Sequence, residues 1–140
     1  MSAPLYTTEI LRLAASLREA HPLEREDGCA EVRSPTCGSR VCMTVQVDDQ
    51  RRVERISMQV QACAFGQASA ALLEKHSRGH THDEVSDAML DLSRWLAGEH
   101  DHALRWPALI ALAPARERSG RHGAIMLPFR ALLAAMDACG

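Results

Sequence analysis

A chain of 140 residues with a formal net charge of -2 is sized for a single domain, 1–140, and can bury a core without disulfide staples. Lys75 is the only lysine, and the arginines form no basic stripe, so the chain is not expected to bind nucleic acid. Five cysteines is an odd count; with no basic leader in MSAPLYTTEILRLAASL, they read as reduced thiols of a cytoplasmic protein. Arg12 breaks the apolar run of that segment, which argues against a signal peptide or a membrane span.

Ile10, Leu11, Leu13, Ala14 and Leu17 recur at helical spacing, predicting an amphipathic helix over about 7–19 that His21-Pro22 ends. Cys29–Arg33 suits a short strand before a turn at Pro35–Gly38. Val41, Met43, Val45 and Val47 alternate with Cys42, Thr44, Gln46 and Asp48, and Ile56, Met58 and Val60 alternate in the same way after a turn at Asp48–Arg51. These three strands form an antiparallel meander with one face buried. The arginines around that turn, Arg51, Arg52 and Arg55, read as a solvated edge.

After Cys63 the period changes from two to 3.6, and Ala64, Ala68, Ala71 and Leu72 mark one face of a thin helix that Gly79 closes. Thr81 with Glu84 predicts a capping box for the next helix, with Val85, Met89, Leu92 and Leu96 as its buried stripe and Gly98 as its stop. Pro107 opens a short helix through Ala113, which Pro114 stops. The last helix carries Leu132, Leu133 and Met136. Trp95 and Trp106 are expected as core anchors.

The chemistry concentrates at Cys37, Cys63 and His122. Cys37 lies in a Pro/Gly turn, Cys63 where a strand gives way to a helix, and two strands between them return both thiols to one end of the sheet. A helix start favours the thiolate, and two sulfurs with one imidazole suit zinc or an iron–sulfur cluster. Ordinary buried thiols would explain the same spacing, since no C-x-x-C pair is present. A Cys37–His122 nucleophile pair has no recognisable orienting group, so the chain is not read as an enzyme. The histidines at 76, 80 and 82 are best explained by a helix C-terminus, and a metal role for His100-Asp101-His102 is disfavoured.

The chain resembles the iron–sulfur cluster assembly scaffold proteins of the NifU N-terminal, IscU and SufU type. Ser34-Pro35-Thr36-Cys37-Gly38 matches the family's Asn-Pro-x-Cys-Gly-Asp, and Ala62-Cys63-Ala64 with Ala68-Ser69 matches its Gly-Cys-x-x-x-x-Ala-Ser helix start. The resemblance implies an α+β fold, a three-stranded antiparallel sheet packed against about five helices. It implies a [2Fe–2S] cluster or iron, or zinc at the same place, held by Cys37, Cys63 and His122. Its implied partners are a cysteine desulfurase and recipient iron–sulfur proteins. Ser39 replaces the family's aspartate and is a poor metal ligand unless deprotonated, and Gly123 replaces its third cysteine. The Leu-Pro-Pro-Val-Lys segment that binds an Hsp70-type chaperone corresponds to Arg116–Gly120, where no position matches, so that partner is doubtful. These departures imply a labile cluster, its remaining position filled by water, a small thiol or a partner's cysteine. The alternative function is a degenerate paralogue that binds partners without a cluster, or a zinc-binding sulfur acceptor. Pro128 predicts that the last helix begins late and leaves His122 mobile. Among the spare thiols Cys139 is too distant, Cys42 is expected to be buried against a helix, and Cys29 is a minor candidate.

Overall fold

The structure, a computed structural model, describes residues 6–35, 38–99 and 104–139. Strands β1 (Gly28–Arg33), β2 (Arg40–Val47) and β3 (Val53–Gln61) form one antiparallel sheet in the order β1-β2-β3. Helix α1 (Thr8–Ser16) precedes the sheet, and α2 (Ala64–His76), α3 (His82–Leu96) and α4 (His122–Asp137) follow it. Two 3-10 segments, Pro107–Ala115 and Ser119–Arg121, lead into α4. This is the expected α+β architecture.

The alternation in β2 has the expected consequence: Val41, Met43 and Val45 are buried against α4, which lies across β1 and β2. Gly28 makes that approach possible, since a Cβ there would collide with the Ala135 carbonyl oxygen of α4. Helix α2 packs between α1 and α4, and its run of small residues, Ala68 to Ala71, is wholly buried. The α3 capping box is formed as expected from Thr81 and Glu84. Trp95 and Trp106 are buried in the core.

Several local expectations change. Helix α1 ends at Ser16, where Leu17 turns extended, so the chain leaves the helix well before Pro22. The following linker crosses the outer face of the sheet, where the His21 N–H donates to Ser57 Oγ at 2.8 Å. It also covers Gln46, whose side-chain oxygen accepts from the Arg25 N–H at 3.2 Å. A register shift between Gln46 and Val47 therefore leaves Gln46 buried and Val47 half-buried, reversing the simple alternation. Arg52 is not a solvated edge: its guanidinium donates to the Gly79 carbonyl at 3.0 Å and meets Glu84 at 3.1 Å, tying the hairpin to α3.

Proline acts differently from expectation at two sites. The first 3-10 segment continues through Pro114 to Ala115, and α4 begins at His122 with Pro128 inside it. Pro128 has no N–H for the Ala124 carbonyl. That carbonyl instead faces Gly66 of α2, where an added Cβ would sit 3.2 Å from it. The next carbonyl, Ile125, accepts from the buried Ser69 hydroxyl at 2.6 Å. Helix α2 thus supports α4 where its own ladder is interrupted.

Candidate metal centre

Three elements meet at one end of the sheet. The β1–β2 turn is closed by the Ser34 N–H donating to the Ser39 carbonyl at 2.9 Å, with Gly38 at a φ of 72° that favours glycine. Arg40 pairs with Gln61 across the sheet, so this turn and the end of β3 share one edge. Cys63 follows two residues later as the N-cap of α2, half-buried, its backbone carbonyl accepting from the Gln67 N–H at 3.0 Å. The first turn of α2 lies on the first turn of α4, because Gly66 admits Ala124. A Cβ built on Gly123 would have Ser34 Oγ at 3.8 Å, which sets the start of α4 beside the β1–β2 turn.

His122 is the first residue of α4, and its Nε2 lies 2.8 Å from the Ala115 carbonyl oxygen. A carbonyl only accepts, so Nε2 carries the proton and Nδ1 of the neutral ring keeps its lone pair. Metal-bound histidines are commonly anchored in this way through their other nitrogen. Tyr6, the chain's only tyrosine, lies near Cys63 and packs on Phe65 with ring centroids 5.1 Å apart. Burial pushes its phenol above the ordinary value, the nearby Cys63 adds to this, and the Arg121 cation opposes it.

Of the residues singled out from sequence, Cys63 and His122 lie on helix starts that pack together, and Ser39, buried, lies in the turn beside them. Cys37 lies outside the described residues, as do His100, Asp101 and His102. Among the described residues, no three His, Cys, Asp or Glu side chains gather closely enough to hold a metal ion. Cys139 sits against Gly28, in the strand's first position, at the far end of β1 from the turn. Cys29 is exposed on the outer face. Cys42 is half-buried on that same outer face, between Glu31 and Gln59, rather than against a helix; the register that buries Val41 and Met43 under α4 turns it away. His80 stacks on Trp106 at 4.9 Å, and His82 pairs with Asp137 at 3.0 Å, so these two histidines do separate structural work. Tyr6 has no sequence signal as a neighbour of Cys63, because no period connects position 6 to position 63.

No curated protein matches the chain. Among solved structures, the N-terminal part of a nitrogen-fixing NifU-like protein from Brucella abortus superposes with a TM-score of 0.84 at 28% identity, covering 96% of this chain and 93% of that one. A candidate iron–sulfur cluster assembly scaffold protein for the SUF system, from thermophilic Fervidobacterium islandicum AW-1, superposes at 0.80 with 20% identity, covering 94% and 96%. At that identity the second likeness speaks for the fold. The family model of the NifU-like N terminal domain matches residues 5–103, which include both cysteine motifs and the whole sheet, and the chain belongs to that family.

Proposed function

We propose that this chain is a scaffold of iron–sulfur cluster assembly: a non-enzymatic, cytoplasmic protein that holds iron and sulfide as a labile [2Fe–2S] cluster and passes it on. The observation that carries this reading is the meeting of the β1–β2 turn, the Cys63 helix start and the His122 helix start at one sheet edge, in a chain of the NifU-like family. In this reading Cys63 and Cys37 are the thiolate ligands, and His122, anchored through Nε2, offers Nδ1 as a third. Ser39 stays an indirect participant, since its backbone carbonyl closes the turn. With Gly123 in the first turn of α4, the remaining coordination falls to water, a small thiol or a partner's cysteine. The partner classes are a cysteine desulfurase, which supplies sulfur, and recipient iron–sulfur proteins.

Anaerobic reconstitution with iron and sulfide tests the reading. Visible charge-transfer bands are expected, and they should vanish in Cys63→Ser and in Cys37→Ser. A colourless product with no bound iron would overturn the proposal. Metal analysis of protein purified without chelator separates iron from zinc at the same residues.

A further inference from the structure

A second pair of thiols lies on the face of the sheet turned away from α4. Along β1, Ala30 and Val32 pack on the core, so Cys29, Glu31 and Arg33 face outward. Along β2, Val41 and Met43 are buried, and Cys42 faces outward with Arg40 and Thr44. Cys42 stands opposite Glu31 and Cys29 opposite Thr44, which makes the two cysteines diagonal neighbours on adjoining strands. We propose that Cys29 and Cys42 form a two-coordinate thiolate site for a soft monovalent cation such as Cu(I).

The spacing favours a bridging ion over a disulfide. The bond from the Ser34 N–H to the Ser39 carbonyl sets the phase of the ladder, so Val32–Val41 and Ala30–Met43 exchange hydrogen bonds. Glu31–Cys42 and Cys29–Thr44 are then the non-bonded pairs, whose side chains lie closer. Diagonal neighbours have Cα atoms roughly 7–8 Å apart and Cβ atoms somewhat less. A disulfide needs Cβ atoms about 3.8 Å apart, so this pair does not close one, and both thiols are free. A metal bridge is longer: with metal–thiolate bonds of roughly 2.3 Å, two sulfurs on opposite sides of an ion lie about 4.6 Å apart. Among the described residues, no third His, Cys, Asp or Glu joins them to make a three-ligand site. Glu31 is engaged by Arg33 at 3.1 Å and Arg40 at 3.4 Å. Zinc, almost always four-coordinate, is poorly served by two ligands, whereas Cu(I) is selected by soft thiolates and is content with two. The charges also match: two thiolates and one monovalent cation carry a single negative charge, and two guanidiniums sharing the Glu31 carboxylate leave a single positive charge beside them. Cys29 is exposed and Cys42 half-buried, so an ion can reach the pair from solvent.

The test is carried out without oxygen on the reduced full chain bearing Cys37→Ser and Cys63→Ser, so that the proposed cluster ligands do not contribute. Cu(I) is supplied as its coloured bicinchoninate complex, and the fall in absorbance reports the copper that the protein withdraws. One equivalent per chain is expected, with two sulfur neighbours and no third in its X-ray absorption spectrum. Adding Cys29→Ser or Cys42→Ser should each weaken retention by about tenfold or more, since even outer-shell losses cost metal sites that much. Adding Cys139→Ser should leave retention unchanged, and an equal concentration of zinc should not displace the copper. Retention unchanged in both the Cys29 and Cys42 variants, three or more sulfur neighbours, loss in Cys139→Ser, or displacement by zinc would overturn the proposal. Because Cys37 and Cys63 are absent throughout, failure here is distinct from failure of cluster reconstitution.

Discussion

The space beside Gly123 gives the sharpest handle on the thiol site. A Cβ there would meet Ser34 Oγ at 3.8 Å, an ordinary contact, so a cysteine can be accommodated next to the turn that bears Cys37. Gly123→Cys is therefore expected to prolong the life of a reconstituted cluster under chelator challenge by about tenfold or more, the scale on which metal sites respond to a supporting group. The decay of the visible bands measures this, and equal lifetimes would mean that position 123 does not face the cluster. The strand-to-helix change at Cys63 and the Ser-Gly turn before His122 were legible in the sequence, and both residues do lie at helix starts, whereas Cys37 lies outside the described residues. The proximity of Tyr6 to Cys63 was not legible, since it arises from the packing of the segment before α1 against α2. The missing aspartate and cysteine were also plain in the sequence, as Ser39 and Gly123. What they leave behind, a closed turn and open space beside Gly123, required coordinates.

The pairing of α2 with α4 is the element contact on which the site's geometry rests. Ser69 is fully buried, and its hydroxyl donates to the Ile125 carbonyl, so Ser69→Ala leaves that interaction unmade at a cost of about 1–2 kcal/mol. Gly66→Val is expected to cost about 1–3 kcal/mol, because even a Cβ at this position would lie 2.7 Å from the Ala62 Cβ and 3.2 Å from the Ala124 oxygen. Denaturant unfolding at equilibrium checks both; an undiminished midpoint in Gly66→Val would mean that the two helices are not in close contact. The small-residue character of α2 was visible in Gly66, Ser69 and Ala70, and it correctly signalled close packing. Helix propensity alone places the start of α4 after Pro128, whereas the helix starts at His122. Neighbouring groups on α2 satisfy or accommodate the carbonyls that the proline disturbs, and a tertiary contact of this kind leaves no local pattern. The same holds for Gln46, whose burial depends on a linker distant in sequence.

For the molecule as a whole, hydrogen-bonded carboxylates and partly buried weak acids set the range of pH over which the fold is most stable. The Asp27 carboxyl is held below its ordinary value, chiefly by the Val47 N–H at 2.8 Å and then by Arg25. Glu84 is likewise lowered, first by the Thr81 N–H at 3.0 Å and then by the Thr81 hydroxyl, His80 and Arg52. As pH falls, the unfolded chain takes up protons at these carboxyls before the folded chain does. Their stabilisation is thus complete above the usual carboxylate range and disappears as pH passes down through the lowered folded values. Tyr6 and Cys139 are shifted upward, in both cases mainly by burial, so the unfolded chain ionises first as pH rises and stability falls on the alkaline side. Thermal unfolding across pH should show a plateau with two shoulders. Asp27→Asn should soften the acid shoulder and Tyr6→Phe the alkaline one; shoulders unmoved in both variants would exclude these groups as the cause. The three-stranded meander and its helical cover could be anticipated from periodicity, because hairpins and capped helices are written locally.

The proline in α4 has a further bearing on how the start of that helix behaves. A helix whose backbone ladder is interrupted between Ala124 and Pro128 is divided into a short leading turn and a long trailing rod. The rod is clamped to the sheet at Gly28, whereas the leading turn, which carries His122, is secured mainly by Gly66, Ser69 and Ala115. The leading turn is expected to open before the rod, and amide exchange faster at residues 122–126 than at 129–136 would show it.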